Sequence, residues 1–402
     1  MIGNADKKIT ILFINLYTEM GGGEYVIYYL LKELNRSRYE PIMMFNQRGT
    51  FVDKVEALGV RTIIIPFHVV MLKELIRPAT ISDAMQTSRK ISKYLRENPT
   101  DIIHCSDVLS LVFIAMPVLR FRIPVLYVVL FFYEWTRMIA FNFLALLTVR
   151  TIVTHSLAMK KDLVKRTLFL KGRTETIHPG VDSSVYVSLK VGEKNTLRDE
   201  LSIHESTKLV GMVARYELAK GHDLFLKAAS MVVKKRDDVN FLVIGGDRNT
   251  DGVPAFRKYK DEVMKLHQEL NLGNRILFIP QRDDMPMVLR GLDLLVCPSL
   301  KEGFGLVVLE ALSSGVPVVV SGVAGVLEVV SDFPGATVAS ADSVSSLSEC
   351  IVKALSEVDG GTERISNKRS QIASGVRQKN LSWQLHVRKI ENMYNTLIRS
   401  NE

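Results

Sequence analysis

At 402 residues the chain is longer than one ordinary hydrophobic core organises, so two domains are expected, and with 47% hydrophobic and 24% charged residues it belongs among globular proteins. Three scattered cysteines, Cys105, Cys297 and Cys350, argue against a disulfide framework or a zinc cluster. Together with an opening stretch that lacks a secretion-signal pattern, they make the cytoplasm the expected compartment.

The net charge of +9 is unevenly placed: residues 1–180 hold 24 Lys+Arg against 15 Asp+Glu, and the remainder holds 28 of each. A basic first half joined to a neutral second half fits an anionic partner for the first, whether a membrane surface, an acidic glycan or nucleic acid. A solubility bias without a partner gives the same count.

In chain order, "ITILFIN" (9–15) reads as a strand and "GGGEYVIYYLLKEL" (21–34) as a glycine loop opening a helix. "EPIMMFN", "RTIIIPF", "DIIHCSD", "PVLYVVL", "TIVTHS" and "TETIHPG" read as further strands with helical patterns between several of them. Such alternation builds a parallel sheet covered by helices. The apolar stretch 125–149 is interrupted by Glu134 and Arg137, which leaves runs too short for a spanning helix. Its first part reads as a buried strand. Its second, Met138 to Val149, reads as a helix apolar almost all round, either core or a face resting on a membrane. Lys160, Lys161, Lys165 and Arg166 cluster on the next helical pattern.

Residues 187–208 are polar and read as the crossing between domains. A second strand-helix series follows: "KLVGMVAR", "NFLVIGG", "RILFIP", "DLLVCPS" and "VPVVVSG" are its strands. "WQLHVRKIENMYNTLIRS" is a final amphipathic helix. The expected fold class is therefore α/β, with two doubly wound domains whose ligands bind at the carboxyl ends of the strands.

Three loops carry candidate chemistry. In "KEGFGLVVLEALSSGVPVVVSG" (301–322), Glu302 sits in a glycine-flanked loop and Glu310 on the apolar helix behind it. A carboxylate in apolar surroundings needs a partner, and vicinal hydroxyls are a good one. The N-terminus of that helix, from Leu306, offers backbone N–H groups to an anion or hydroxyl. In "GMVARYELAKGHD" (211–223), Arg215 and Lys220 can hold a diphosphate, one by its fork and the other as a point charge. In "EMGGGEYVIYYL" (19–30), a glycine run follows the first strand without matching a dinucleotide fingerprint or a P-loop. Taken singly, each of these is equally at home as a cap, a surface cation or a salt bridge. Asp283-Asp284 reads as a helix cap.

Together the motifs resemble the retaining glycosyltransferases of the GT-B fold, family 4. The resemblance rests on Glu302 and Glu310 as an E-x7-E pair, Arg215 with Lys220-Gly221, the glycines at 21–23, "IHPGVD" (177–182) and "GVAGVLEVV" (322–330). It implies two Rossmann-like domains facing a cleft: an acceptor-side domain over 1–186, with the C-terminal helix 384–402 packed back onto it, and a nucleotide-sugar domain over 187–383. It implies catalytic roles for Arg215, Lys220 and Glu302. Donor contacts would come from Gly22, Gly23, Arg215, Lys220, Glu302, Gly303, Phe304, Gly305, Leu306 and Glu310, the last holding ribose hydroxyls. Glu24 and His104 would lie on the acceptor side. No metal and no cofactor are implied, because the two cations neutralise the leaving diphosphate of a UDP-sugar or a GDP-sugar. The favoured acceptor is a glycan or lipid-linked glycan at the cytoplasmic face of a membrane, with a soluble small acceptor as the alternative; an anionic membrane surface is a further candidate partner, and no nucleic acid is expected.

The sequence departs from the family pattern at Leu130, where similar enzymes carry a His, and at Ser106. A nucleotide-sugar epimerase of the same fold and a noncatalytic transferase-like subunit are the alternatives to a transferase.

Overall fold

The computed structural model describes residues 8–66, 78–133, 135–189, 192–246 and 254–400. They divide into two compact units, Met1–Pro179 with Trp383–Glu402, and Gly180–Ser382. Glu134, one of the two charges that interrupt the apolar stretch 125–149, lies outside the described residues.

The first unit is built on seven strands: β1 (Ile9–Ile14), β2 (Tyr39–Phe45), β3 (Arg61–Ile64), β4 (Ile102–Cys105), β5 (Val125–Val129), β6 (Val149–Thr154) and β7 (Thr174–Thr176). They pair in parallel in the order β3-β2-β1-β4-β5-β6-β7. The chain winds outward from β1 in one direction, returns, and continues from β4 in the other. The strands at the centre are short unbroken apolar runs because helices cover both faces: every residue of β4 and β5 is buried.

The second unit repeats the plan. Its strands are β8 (Lys208–Val213), β9 (Val239–Ile244), β10 (Ile276–Ile279), β11 (Leu294–Cys297), β12 (Val318–Ser321) and β13 (Ala336–Ala339), in the order β10-β9-β8-β11-β12-β13. Here the winding reverses between β8 and β11, and such a switch point opens a crevice at the carboxyl ends of the strands. At the opposite, amino end, Asp293 accepts from Arg198 and from the Leu209 backbone N–H at 2.8 Å. That buried ion pair locks the base of the sheet.

The contacts begin the second unit at Gly180 rather than after residue 186. The Val181 N–H donates to the Leu381 carbonyl at 2.9 Å, and Tyr186 is 5% exposed in the second unit's core. The final helix, Trp383–Arg399, belongs to the first unit. Trp383 stacks on Tyr29 with ring centroids 4.7 Å apart, and the Tyr39 hydroxyl donates to Asn395 at 2.8 Å.

Candidate functional site

In the second unit, β8 and β11 are neighbours and each delivers a loop to the same place. β8 runs into Arg215 and a short 3-10 turn, Leu218–Lys220. β11 runs into residues 298–305 and then the helix Leu306–Ser313. The Leu300 N–H donates to the Ala219 carbonyl at 2.8 Å, which ties the loops together. Gly221 makes this approach feasible. Its φ of +73° is left-handed, and a Cβ there would collide with the Pro298 carbonyl.

Lys220 Nζ lies 2.9 Å from Glu302 Oε2, and the Ser299 hydroxyl donates to the same oxygen at 3.2 Å. The side chains of Lys220 and Glu302 are 23% and 14% exposed, so solvent reaches both without surrounding either. Burial works against the Lys220 charge, but attraction to Glu302, to Cys297 and through the hydrogen bond outweighs it, and its pKa is raised. Arg215 stands close enough to work against that charge as well. Its own guanidinium meets Glu217 at 3.1 Å and lies 5.7 Å from the Phe256 ring centre, with about half of the side chain open to solvent.

Phe304 is buried and anchors the loop in the core, while Gly303, Gly305 and Leu306 carry the backbone past Glu302. Gly305 adopts φ +88° as the N-cap of the following helix. Glu310 lies one turn further on. Desolvation pushes its carboxyl up to about 7, against the opposing effect of a hydrogen bond from the Tyr186 side chain.

Thus Arg215, Lys220, Glu302, the loop 303–306 and Glu310 all belong to one unit, at the carboxyl side of its switch point. Ser299 and Tyr186 escaped the sequence reading. Ser299 could have been noticed as the first polar residue after a buried strand, two positions past its end; nothing in the sequence pairs Tyr186 with Glu310. The packing under the loop also went unread: His222 is fully buried and stacked on Tyr216, with centroids 4.7 Å apart.

The remaining candidates belong to the first unit. Gly22 and Gly23 open the helix Gly22–Glu33. A Cβ on Gly23 would come within 2.6 Å of Leu130 Cδ1, so the residue that replaces the family's His packs as an apolar wall against the glycine loop. Glu24 is 7% exposed, with its carboxylate turned over Gly21.

His104 is 2% exposed, and its Nδ1 meets the Tyr394 hydroxyl at 2.6 Å. Phe13 stacks on it at 4.7 Å. Burial, and secondarily His386, lowers its pKa to about 3. His104, His155 and His386 line one small cavity with Ser106 and Leu130. In this structure His104 is a neutral member of the packing beneath the final helix, not a surface group.

Asp284 occupies an N-cap position as the sequence suggested, but its carboxylate turns to Arg282, at 2.8 and 2.7 Å, instead of capping. Among the described residues there is no cluster of three His, Cys, Asp or Glu arranged to hold a metal ion.

Two Rossmann-like sheets, with charged loops at the switch point of one, define the class: a two-domain enzyme fold of the GT-B type. The family model "Glycosyltransferase Family 4" matches residues 20–185, and "Glycosyl transferases group 1" matches residues 193–373. The chain belongs to the family 4 type of GT-B glycosyltransferases.

It is 35% identical over 162 residues to the D-inositol 3-phosphate glycosyltransferase of Mycobacterium sp. (strain KMS), a match over 40% of this chain and 34% of that protein. The match to the corresponding enzyme of Mycobacterium bovis is 30% over 198 residues, 49% of this chain and 39% of that one. The alignments therefore span little more than a third of these relatives. Over nearly the whole chain the fold is that of Anabaena HepE, solved in complex with UDP and glucose: TM-score 0.80, 19% identity, 96% of this chain and 100% of that one. WaaG, a glycosyltransferase involved in lipopolysaccharide biosynthesis, gives TM-score 0.70 at 16% identity, over 96% and 99% of the two chains.

Proposed function

We propose that the protein is a retaining, metal-independent hexosyltransferase that moves a sugar from a UDP-sugar to a glycan or lipid-linked glycan. The observation that carries this reading is the Lys220–Glu302 pair at the switch point of the second unit, 2.9 Å apart and followed by Glu310 on the adjoining helix.

Arg215 and Lys220 present positive charge where a diphosphate leaves. Charge on that group grows along the reaction, so preorganised cations act most in the transition state. Glu302 is held in place by Lys220 and Ser299, which fixes a carboxylate that can orient sugar hydroxyls. Glu310, kept in apolar surroundings with Tyr186, gains a better partner when two ribose hydroxyls reach it. In a front-face reaction the bond from the anomeric carbon to the diphosphate oxygen breaks. The acceptor oxygen bonds to that carbon on the same face, and its proton passes to the departing phosphate. Uridine is preferred over guanosine because a neighbour of the same fold, HepE, is solved with UDP and with UDP-glucose. The expected place of work is the cytoplasmic face of a membrane.

Incubation of the full chain with UDP-glucose and a lipid-linked glycan, followed by product analysis with and without the acceptor, tests the reading. An α-linked product and UDP that form only with acceptor present support it. Sugar inversion at another carbon without acceptor identifies an epimerase, and no turnover with intact UDP-glucose binding identifies a noncatalytic subunit.

A further inference from the structure

The helix Trp135–Thr148 is apolar on two sides, and only one is used. Met138, Phe141 and Ala145 are buried in the first unit's core. Ile139, Phe143, Leu146 and Leu147, spaced i, i+4, i+7 and i+8, form the opposite face and are between 48% and 68% exposed. The segment Leu168–Arg173 adds Phe169, 84% exposed. Two hydrogen bonds hold that segment's neighbourhood to the helix: Asn142 Nδ2 donates to the Arg166 carbonyl at 3.1 Å, and Arg173 Nη1 to the Leu146 carbonyl at 3.4 Å. One exposed Leu or Phe is ordinary; five drawn together at one place mark an interaction surface.

The charge around them is one-sided. Residues 138–173 contain seven Lys or Arg and a single acid, Asp162, which Arg166 neutralises at 2.9 Å. Lys161, Lys165 and Lys171 are exposed.

We infer that this surface seats the enzyme on an anionic lipid membrane, with Phe143 and Phe169 entering the headgroup region and the cations meeting lipid phosphates. Charge complementarity selects this occupant. A second copy of the chain would bring the exposed Lys161, Lys165 and Lys171 against their own image, which like-charge repulsion opposes. Phe and Leu beside Lys and Arg are the composition of a segment lying in the interface plane, and among the described residues no helix is long and apolar enough to cross it. The inference rests on the transferase reading only for its purpose, which is to bring the site to a lipid-linked acceptor; the surface itself is independent of donor chemistry.

Flotation of the full chain with phosphatidylcholine vesicles, with and without phosphatidylglycerol, tests it. Recovery is expected only with the acidic vesicles and falls steeply as salt is raised. Lys165→Glu with Lys171→Glu should weaken recovery by about 25-fold or more, since each cation near such a surface is worth about fivefold. Phe143→Ser with Phe169→Ser should abolish most of it and leave UDP-glucose affinity, read by calorimetry, unchanged. Equal recovery with neutral vesicles, no recovery at low salt, or full recovery of the Phe variant overturns the inference. So does a dimer in light scattering that the Phe substitutions dissolve without any vesicle binding. Vesicle binding without UDP-glucose binding would instead overturn the donor reading and leave this one standing.

Discussion

The two sheets wind the same way and differ in what they do with the strand next to the switch point. In the first unit, β4 carries His104, which the final helix covers with Tyr394, and the surrounding histidines are neutral and enclosed. In the second, β11 ends in a loop whose Lys220–Glu302 contact stays partly open to solvent. A shared topology thus yields a plugged edge in one unit and a charged, reachable one in the other. Fold alone does not locate function; the side chains that each unit sets on its strands and loops do.

Lys220→Ala is expected to break the comparison hardest. It removes the cation that pairs with Glu302, and turnover should fall by about 10²–10³, the effect of losing one preorganised charge partner. Steady-state kinetics check this: kcat should fall more than UDP-glucose affinity, and a raised KM with kcat intact would contradict the role.

The next largest effect is on pH. Glu310 holds its proton up to about pH 7 in the ligand-free protein, whereas ribose hydroxyls require the carboxylate. Donor affinity should therefore rise with pH through about 7, by up to about tenfold per unit below it. Glu310→Gln should flatten that rise in calorimetric titrations between pH 6 and 8.

Tyr394→Phe probes the plugged edge. It leaves His104 Nδ1 buried without its hydroxyl partner, at a cost of about 1–3 kcal/mol. Thermal unfolding should reveal the loss, while UDP-glucose affinity stays the same.

The smallest effect is a difference in acid response. Burial lowers His104 and His155 to about 3 and His386 to about 4, below the ordinary 6.5. The unfolded chain therefore takes up protons first, and the stability these groups lend is lost progressively as pH falls from about 6.5 toward 3–4. In the second unit His222 acts this way, its pKa lowered to about 4, and the carboxyls of Glu200, Asp238 and Asp284, lowered by their arginine partners, act in the same sense further down the acid range. Glu310 acts in the opposite sense, because its raised pKa favours the folded state below about 4.5, an advantage lost by about 7. Amide exchange at pH 7 and pH 5 should show protection falling more around His104, His155 and His386 than around Glu310.

Much of the second unit's site was legible because its parts lie close in the chain. Glu302 and Glu310 share one loop and helix, and Arg215 and Lys220 share another, each marked by glycines and preceded by an apolar strand. What the sequence could not convey was how these segments meet. Lys220 and Glu302 are 82 residues apart, and their contact depends on β8 and β11 lying side by side. His104 was an acceptor-side candidate through the family resemblance alone, and nothing near it in the chain shows what it packs against. The hydroxyl that engages it arrives from Tyr394, 290 residues later, on a helix whose docking leaves no local trace. The exposed face of the helix Trp135–Thr148 was equally hidden, since an apolar helix in sequence does not say which of its sides the core uses.

The central claim, that the second unit's loops form the donor site, is tested most directly by calorimetric titration of UDP-glucose into the wild type, Glu310→Ala and Tyr394→Phe. The account predicts that Glu310→Ala stays folded and binds about ten- to a hundredfold more weakly, from about 1.5–3 kcal/mol for hydrogen bonds to a charged group. Tyr394→Phe should bind as the wild type does. Unchanged affinity in folded Glu310→Ala, or a loss confined to Tyr394→Phe, would contradict it.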